Sequence, residues 1–135
     1  MKSKVDVGVI GVGLMGKTHA TNLVTRIPQA NLIGIADLNL PLAQNVASDL
    51  GVTNVYGDYR QLLKNELVDA IIVATPSFAK PELITDILES GKNVYCEKPL
   101  CVTIEDANNL AWLAEKTKVV FQSGESSAGM GWRRA

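Results

Sequence analysis

The chain has 135 residues, of which 47% are apolar and 20% charged, and this composition excludes intrinsically disordered and fibrous proteins. The length is typical of one domain that can bury a single core without disulfides or a metal. The formal net charge is -1, the basic residues form no stripe and no apolar run reaches the roughly 18 residues of a membrane span, so we expect neither a nucleic-acid partner nor a membrane.

Short runs rich in β-branched residues alternate with patterns of helical period along the chain. Strands are predicted at residues 5–10, 31–36, 55–56, 69–74, 93–96 and 118–122. Helices are predicted at residues 14–25, 41–50, from 59 onward, at 81–90 and from 104 to about 117. Asp58 and Thr103 precede two of these helices and are expected to cap them.

Strands that alternate with helices imply a parallel sheet with right-handed crossovers. Six strands complete the doubly wound α/β arrangement of the Rossmann fold, for which we expect the strand order 3-2-1-4-5-6. This domain is expected to cover residues 1–122. Residues 123–135, rich in Gly and Ser, are expected to form a flexible tail, and its two arginines are too few to favour a nucleic-acid or membrane contact.

The segment Gly11-Val-Gly-Leu-Met-Gly16 has the GxGxxG spacing, follows a predicted strand and opens a predicted helix. The first glycine permits a tight turn, Gly13 lets the backbone approach a pyrophosphate because it has no Cβ, and Gly16 lets the helix pack close to the strand. The free N–H groups of Leu14 and Met15 would face the phosphates at the positive end of the helix dipole. A purely structural turn is the alternative, and the strand–turn–helix context disfavours it.

Asp37 ends the second predicted strand, about 20 residues after the glycine loop, where an acid completes the dinucleotide-binding pattern. Its carboxylate can accept hydrogen bonds from both hydroxyls of the adenosine ribose and would repel a 2′-phosphate. The next residues, Leu38 and Asn39, include no arginine to neutralise such a phosphate. We therefore predict that these three residues bind the ribose end of NAD and that NADP is disfavoured; an ordinary loop aspartate is the alternative.

Two further loops are expected on the same rim of the sheet. Ala74 ends the most apolar predicted strand, and Thr75 and Pro76 follow it. All three should face the nicotinamide-side ribose, because ligands bind beyond the carboxyl ends of such strands. Glu97 and Lys98 follow the fifth strand, and a lysine there can hydrogen-bond a substrate hydroxyl and share in proton transfer. A plain strand-ending turn and a solvated lysine are the alternatives, and for the lysine the spacing alone favours solvation.

The remaining reactive side chains are His19, Cys96 and Cys101. The histidine lies near the phosphate half of the expected site, so packing or a hydrogen bond to a neighbouring loop is favoured over catalysis. The cysteines form no CxxC pair and have no His or Cys cluster near them in the sequence. We therefore expect free thiols in a reducing, cytoplasmic compartment and no bound metal.

Several of these motifs occur together in one known family. The chain resembles the N-terminal domain of the Gfo/Idh/MocA oxidoreductases, which include glucose–fructose oxidoreductase and inositol dehydrogenases, over about residues 4–122. The resemblance is carried by GVGLMGKTH at 11–19, the acid at 37, VATP at 73–76, YCEKPL at 95–100 and TIEDA at 103–107.

The resemblance implies roles for residues at the nicotinamide end of the site. It makes Lys98 the substrate-contacting catalytic lysine, places Glu97 near the nicotinamide and makes the Lys98–Pro99 peptide bond cis. It also places Gln122, at the end of the sixth predicted strand, beside the nicotinamide. The implied cofactor is NAD, and the implied substrate is a sugar or cyclitol whose secondary alcohol exchanges a hydride with it.

The sequence departs from the family pattern in two places. Lys80 stands where many members have a histidine after the TP motif, which affects local contacts. The family chain also continues into a second domain that supplies the substrate pocket and the usual catalytic aspartate and histidine, whereas this sequence continues into its Ser/Gly segment. A truncation, a frame-shift or an engineered fragment would each account for this.

These features predict an oxidoreductase cofactor domain that binds NAD(H) with little turnover in isolation. The main alternative is a non-enzymatic dinucleotide-binding module, such as a redox sensor or an assembly subunit. A methyltransferase that uses S-adenosylmethionine shares the fold class, but the intact GxGxxG and EKPL segments argue against it. Without a second domain one edge or face of the sheet would be exposed, so a homo-oligomer is a further expectation.

Overall fold

The computed structural model of the chain describes residues 2–124. Its strands are β1 (Val5–Ile10), β2 (Ala30–Ala36), β3 (Asn54–Tyr56), β4 (Ala70–Val73), β5 (Asn93–Cys96) and β6 (Phe121–Ser123). Its helices are α1 (Leu14–Thr25), α2 (Leu40–Leu50), α3 (Tyr59–Leu63), α4 (Lys80–Glu89) and α5 (Ile104–Thr117). A short 3₁₀ turn (Ser77–Ala79) leads into α4.

The six strands form one parallel sheet in the order β3-β2-β1-β4-β5-β6, which confirms the predicted doubly wound α/β fold. The chain adds β2 and β3 on one side of β1, and β4 to β6 on the other. Ile10 pairs with Val73, so β1 and β4 end side by side. The loops that follow these two strands therefore meet at the switch point, where open α/β sheets bind ligands.

Helices cover the sheet on both faces. α1 and α2 pack on one face, around a core that includes Val9, Ile35 and Val46. α3, α4 and α5 pack on the other face, around a larger core that includes Leu62 and Ile84. Alternate residues of each strand enter the two cores, which explains why the strands read as near-continuous apolar runs.

The predicted bounds differ most from the structure at the sixth strand. β6 begins at Phe121 rather than at residue 118. Lys118 has a left-handed backbone, with φ of 57°, and its N–H donates to the Ala114 carbonyl at 3.2 Å, so it ends α5. A residue in that conformation does not continue into a strand, and pairing with β5 starts later for this reason. Residues 125–135 of the expected tail lie outside the described residues.

Side-chain caps fix the start of three helices. Asp58 and Thr103 accept hydrogen bonds from first-turn N–H groups of α3 and α5, as the sequence predicted. Asn39 does the same for α2, which the sequence reading did not anticipate. α1 begins differently, because its N-cap residue is Gly13, which has no side chain to offer.

Candidate functional site

A cleft of about 880 Å³ opens at the carboxyl ends of β1, β2 and β4. The residues predicted for cofactor binding that line it are Gly11, Gly13, Leu14, Met15, Asp37, Leu38, Ala74, Thr75 and Pro76. Those that do not line it are Gly16, Asn39, Glu97 and Gln122, and the predicted catalytic lysine, Lys98, does not line it either. The structure thus brings the glycine loop, the ribose-side acid and the β4 loop together around one space.

The three glycines of the loop are required for different reasons. Gly11 has φ of 85°, and a Cβ there would lie 2.8 Å from the Ala74 carbonyl oxygen. A Cβ on Gly16 would overlap the carbonyl oxygen of Gly11, so this glycine allows α1 to pack against the turn. A Cβ on Gly13 would meet nothing within 4 Å. Gly11 and Gly16 are therefore required by the protein's own packing, whereas Gly13 borders open space in the cleft.

The start of α1 presents free backbone donors to this space. The first intrahelical hydrogen bond runs from the Lys17 N–H to the Gly13 carbonyl at 2.9 Å, so the N–H groups of Leu14, Met15 and Gly16 precede it. No side chain of the described residues caps them, and the first turn holds no acid. Unpaired N–H groups at the positive end of a helix dipole attract an anion, so this end of the cleft suits a phosphate group.

Asp37 is held by backbone amides on both carboxylate oxygens. Its Oδ2 accepts the Val12 N–H at 2.8 Å, and its Oδ1 accepts the Asn39 N–H at 2.8 Å. Each oxygen keeps a further lone pair, which a ribose hydroxyl can use. The Asn39 side chain caps α2 by accepting the Leu42 N–H at 3.1 Å. Asn39 therefore contacts the Asp37 carboxylate through its backbone N–H and not through its side chain. Leu38 is 94% exposed at the cleft edge.

The loop after β4 forms the opposite wall. The Ala74 N–H donates to the Ile10 carbonyl at 2.9 Å, which fixes this loop against the end of β1. The Thr75 hydroxyl oxygen is buried and has no hydrogen-bond partner within residues 2–124. Leaving a buried hydroxyl unpaired costs about 1–3 kcal/mol. An unpaired hydroxyl in a residue that lines the cleft is a group whose missing partner a bound ligand can supply.

The cleft has a further wall that sequence reasoning missed. Tyr59, Arg60, Phe78 and Glu82 also line it. The pKa of the Tyr59 hydroxyl is raised well above its usual value, mainly by burial and to a lesser extent by its hydrogen bond to Asp86 at 2.6 Å. The Arg60 guanidinium pairs with Glu82 at 2.9 Å and lies 4.7 Å above the Tyr59 ring. The sequence did offer one signal for this wall. α3 follows β3 directly, which places the first residues of α3 on the same rim of the sheet as the other loops.

Glu97 reaches across to α1. Its Oε1 lies 2.7 Å from the Nε2 of His19, and the His19 ring packs edge-on against Tyr95 with centroids 5.4 Å apart. This confirms that the histidine hydrogen-bonds a neighbouring loop. Lys98 is exposed, and the Lys98–Pro99 peptide bond is cis, as the resemblance implied.

Gln122 lies on β6, paired in register with Tyr95 of β5. It borders a second hollow, which His19 and Ile27 of the α1 side also line, rather than the main cleft. The contacts of Gln122 and Glu97 with a nicotinamide stay predictions, as does the contact of Lys98 with a substrate.

Both cysteines are free thiols, as expected. Cys96 is buried, and burial raises the pKa of its thiol to about 11. Within the described part of the chain, no three His, Cys, Asp or Glu side chains group closely enough to hold a metal ion. The helices between residues 2 and 124 include none long and apolar enough to cross a bilayer.

A doubly wound parallel sheet, a glycine turn at the start of α1 and an acid at the end of β2 define a dinucleotide-binding Rossmann domain. A family model for the oxidoreductase family with an NAD-binding Rossmann fold matches residues 5–125. The chain therefore belongs to the Gfo/Idh/MocA oxidoreductase family, and it is that family's NAD(H)-binding domain.

Known relatives include cyclitol dehydrogenases. The scyllo-inositol 2-dehydrogenase (NAD(+)) of Bacillus subtilis is 33% identical over 124 residues, which are 92% of this chain and 36% of that protein. Scyllo-inositol dehydrogenase from Lactobacillus casei, with bound NAD(H) and scyllo-inositol, superposes with a TM-score of 0.85 at 29% identity, over 90% of this chain and 36% of that one. Myo-inositol dehydrogenase from the same organism, in complex with NAD(H) and myo-inositol, gives 0.85 at 30% identity over the same shares. The chain thus spans about 36% of the length of these relatives.

Proposed function

We propose that the domain binds NAD(H) with the pyrophosphate lying over Gly13 and the N–H groups of Leu14 and Met15. The observation that carries this proposal is the open space at Gly13. Its backbone is extended, with φ of -62° and ψ of -162°, a conformation that residues with a Cβ also adopt, and no protein atom lies within 4 Å of a Cβ built there. Neither backbone conformation nor packing requires glycine at this position, so the close approach of a ligand is the remaining physical reason for it.

The adenosine ribose is proposed to bind at Asp37, with Leu38 against the adenine side. The two amide hydrogen bonds orient the carboxylate, whose negative charge disfavours a 2′-phosphate. Arg60 lines the cleft and could in principle pair with a 2′-phosphate, but Glu82 and Asp86 already pair with its guanidinium, at 2.9 Å and 3.4 Å. NAD is therefore preferred over NADP.

The nicotinamide half is proposed to extend past Ala74, Thr75 and Pro76 toward Glu97 and Gln122. The first three residues line the cleft on the β5 side of the glycine loop. The Glu97 N–H donates to the Val73 carbonyl at 2.9 Å, so the loop that follows β5 starts beside the one that follows β4. A ligand that extends across the switch point from Asp37 would reach this second loop.

In the whole protein we propose reversible hydride transfer between the nicotinamide and a secondary alcohol of a cyclitol or sugar. The bound nicotinamide would supply the hydride acceptor or donor. Lys98 would hydrogen-bond the substrate hydroxyl and share in moving its proton. The cyclitol dehydrogenases among the relatives support this class of substrate.

Titration calorimetry with NADH and NADPH tests the cofactor half of the proposal. Hydrogen bonds to charged groups contribute roughly 1.5–3 kcal/mol, so Asp37→Ser should weaken NADH binding by about 10- to 100-fold. The ratio of the affinity for NADH to the affinity for NADPH should also fall. The matched control is Asp49→Ser on α2, where the carboxylate is 66% exposed and lies 3.6 Å from Lys17, outside the cleft lining. Equal affinities for the two cofactors in the parent, or equal losses in the two variants, would contradict the role of Asp37.

We also propose that the chain binds cofactor in isolation with little turnover, because Lys98 is exposed rather than enclosed in a substrate pocket. Assays with NAD and a panel of polyols measure this directly. Steady turnover would contradict the proposal. A non-enzymatic dinucleotide-binding module would also bind cofactor without turnover. Restoration of activity by a co-expressed substrate domain of a relative would identify the chain as an oxidoreductase cofactor domain instead.

A further inference from the structure

Lys80 has a buried side chain that lies outside the lining of the cofactor cleft. It begins α4, is 1% exposed and does not line the cleft. Its ammonium group donates to the carbonyl oxygens of Glu97 at 2.5 Å and of Pro99 at 2.7 Å. No carboxylate among residues 2–124 forms an ion pair with it. Burial of an ammonium group costs several kcal/mol, and here backbone carbonyls are its compensation.

These two carbonyls stand on either side of Lys98. The loop that carries this lysine has few other restraints, because residues 98–102 make no backbone–backbone hydrogen bond to the rest of the described chain. A single anchor would leave the loop free to pivot. Anchors before and after one residue fix both the position and the direction of its backbone.

A second side chain holds the same loop from the opposite helix layer. His19 of α1 contacts Oε1 of Glu97 at 2.7 Å, while Oε2 of Glu97 accepts the Lys98 N–H at 3.2 Å. The loop is therefore held by α4 through its carbonyls and by α1 through the Glu97 carboxylate. The 3₁₀ turn that precedes Lys80 also contributes Phe78 and Ala79 to the cleft lining, so one segment bounds the cleft and anchors the loop.

We propose that Lys80 is a positioning residue, which fixes the loop from Glu97 to Pro99 and so sets where Lys98 stands beside the cleft before any substrate arrives. This inference rests on the proposed function, which gives Lys98 its substrate contact. Lys80 acts through the backbone of the loop and touches neither cofactor nor substrate.

The chain contains a matched control. Lys92 is also buried, at 8% exposure, and donates to the carbonyls of Asn65 at 3.0 Å and Val68 at 2.8 Å. It precedes β5, and its acceptors precede β4, so it lies at the amino ends of the strands. Lys92 thus has the same chemistry as Lys80 at the end of the sheet away from the cleft.

The experiment compares Lys80→Met with Lys92→Met by urea unfolding and by ¹⁵N relaxation, with and without NADH. Both variants should lose stability, but only Lys80→Met should lower the order parameters of the Lys98 and Leu100 amides, from about 0.85 to below about 0.6. Lys80→Gln, which retains a donor, should restore part of the order and takes the place of Lys80→Met if that variant does not fold.

Three results would overturn the inference: a Lys98 amide that is already mobile in the parent, equal loosening in the Lys80 and Lys92 variants, or unchanged order in Lys80→Met. Each is read without cofactor. A parent that fails to bind NADH would instead refute the proposed function and would leave the comparison of the two lysines intact.

Discussion

Substitution of Gly13 is expected to weaken cofactor binding and to leave folding intact. A Cβ at this position meets no atom within 4 Å, and the backbone φ of -62° is open to alanine. Gly13→Ala should therefore keep the free energy of unfolding within about 0.5 kcal/mol of the parent, or raise it by roughly 0.4–1 kcal/mol because the unfolded chain loses freedom.

The same methyl group would occupy the space through which the pyrophosphate is proposed to reach the N–H groups of Leu14 and Met15. Each charge-assisted hydrogen bond is worth roughly 1.5–3 kcal/mol, so the loss of even one weakens NADH binding by about 10-fold or more. Gly16→Ala is the contrasting variant, because its Cβ would overlap the Gly11 carbonyl oxygen. Overpacking against side chains costs about 1–3 kcal/mol of stability, and a clash with a backbone carbonyl should cost at least as much.

Urea unfolding and calorimetric titration with NADH, run on the parent and both variants, measure the two effects. The expected pattern is a stable Gly13→Ala that binds poorly and a destabilised Gly16→Ala. Retained NADH affinity in Gly13→Ala would refute the placement of the pyrophosphate, and a stability loss as large as that of Gly16→Ala would refute the assignment of Gly13 to a ligand.

Two further predictions concern titration. Asp69 accepts the Asp6 N–H at 2.8 Å and the Lys2 ammonium at 3.0 Å, and these contacts lower the pKa of its carboxyl below the ordinary 3.8. Because the unfolded chain takes up this proton first, the free energy of unfolding should fall as the pH drops below 3.8 through the lowered pKa. Urea unfolding measured across this pH range should show a shallower fall for Asp69→Asn, and an equally steep fall would contradict the role of Asp69. At neutral pH a thiol reagent should label Cys101 quickly and Cys96 only on unfolding, since burial raises the Cys96 pKa to about 11; two fast thiols in the folded chain would contradict this.

The fold was largely predictable because its signals are local. Apolar runs, cap residues such as Asp58 and Thr103 and the turn at Gly11 each depend on a few neighbouring residues, and the alternation of strands and helices then limits the topology. The start of β6 was not predictable, because the left-handed conformation of Lys118 has no distinctive residue type behind it.

The candidate site was predictable only where a motif carries it. The glycine loop, Asp37 and the β4 loop were found, because their spacing encodes the chemistry. The pairing of His19 with Glu97 joins residues 78 positions apart, and Lys80 reaches its carbonyl partners from 17 and 19 positions away. Contacts at such separations depend on the packing of whole elements, which periodicity in the sequence does not report.

The hydrogen bond from the Val12 N–H to the Asp37 carboxylate joins the residue proposed to select the cofactor to the backbone of the glycine loop. The carboxylate proposed to bind the ribose thus also restrains the backbone just before Gly13. A redesign toward NADP that replaces only Asp37 would also remove the acceptor of the Val12 N–H. We therefore expect it to lower the affinity for both NAD and NADP. A successful switch of preference therefore needs two changes: a new cation for the extra phosphate, and a new acceptor for the amide that the carboxylate leaves behind.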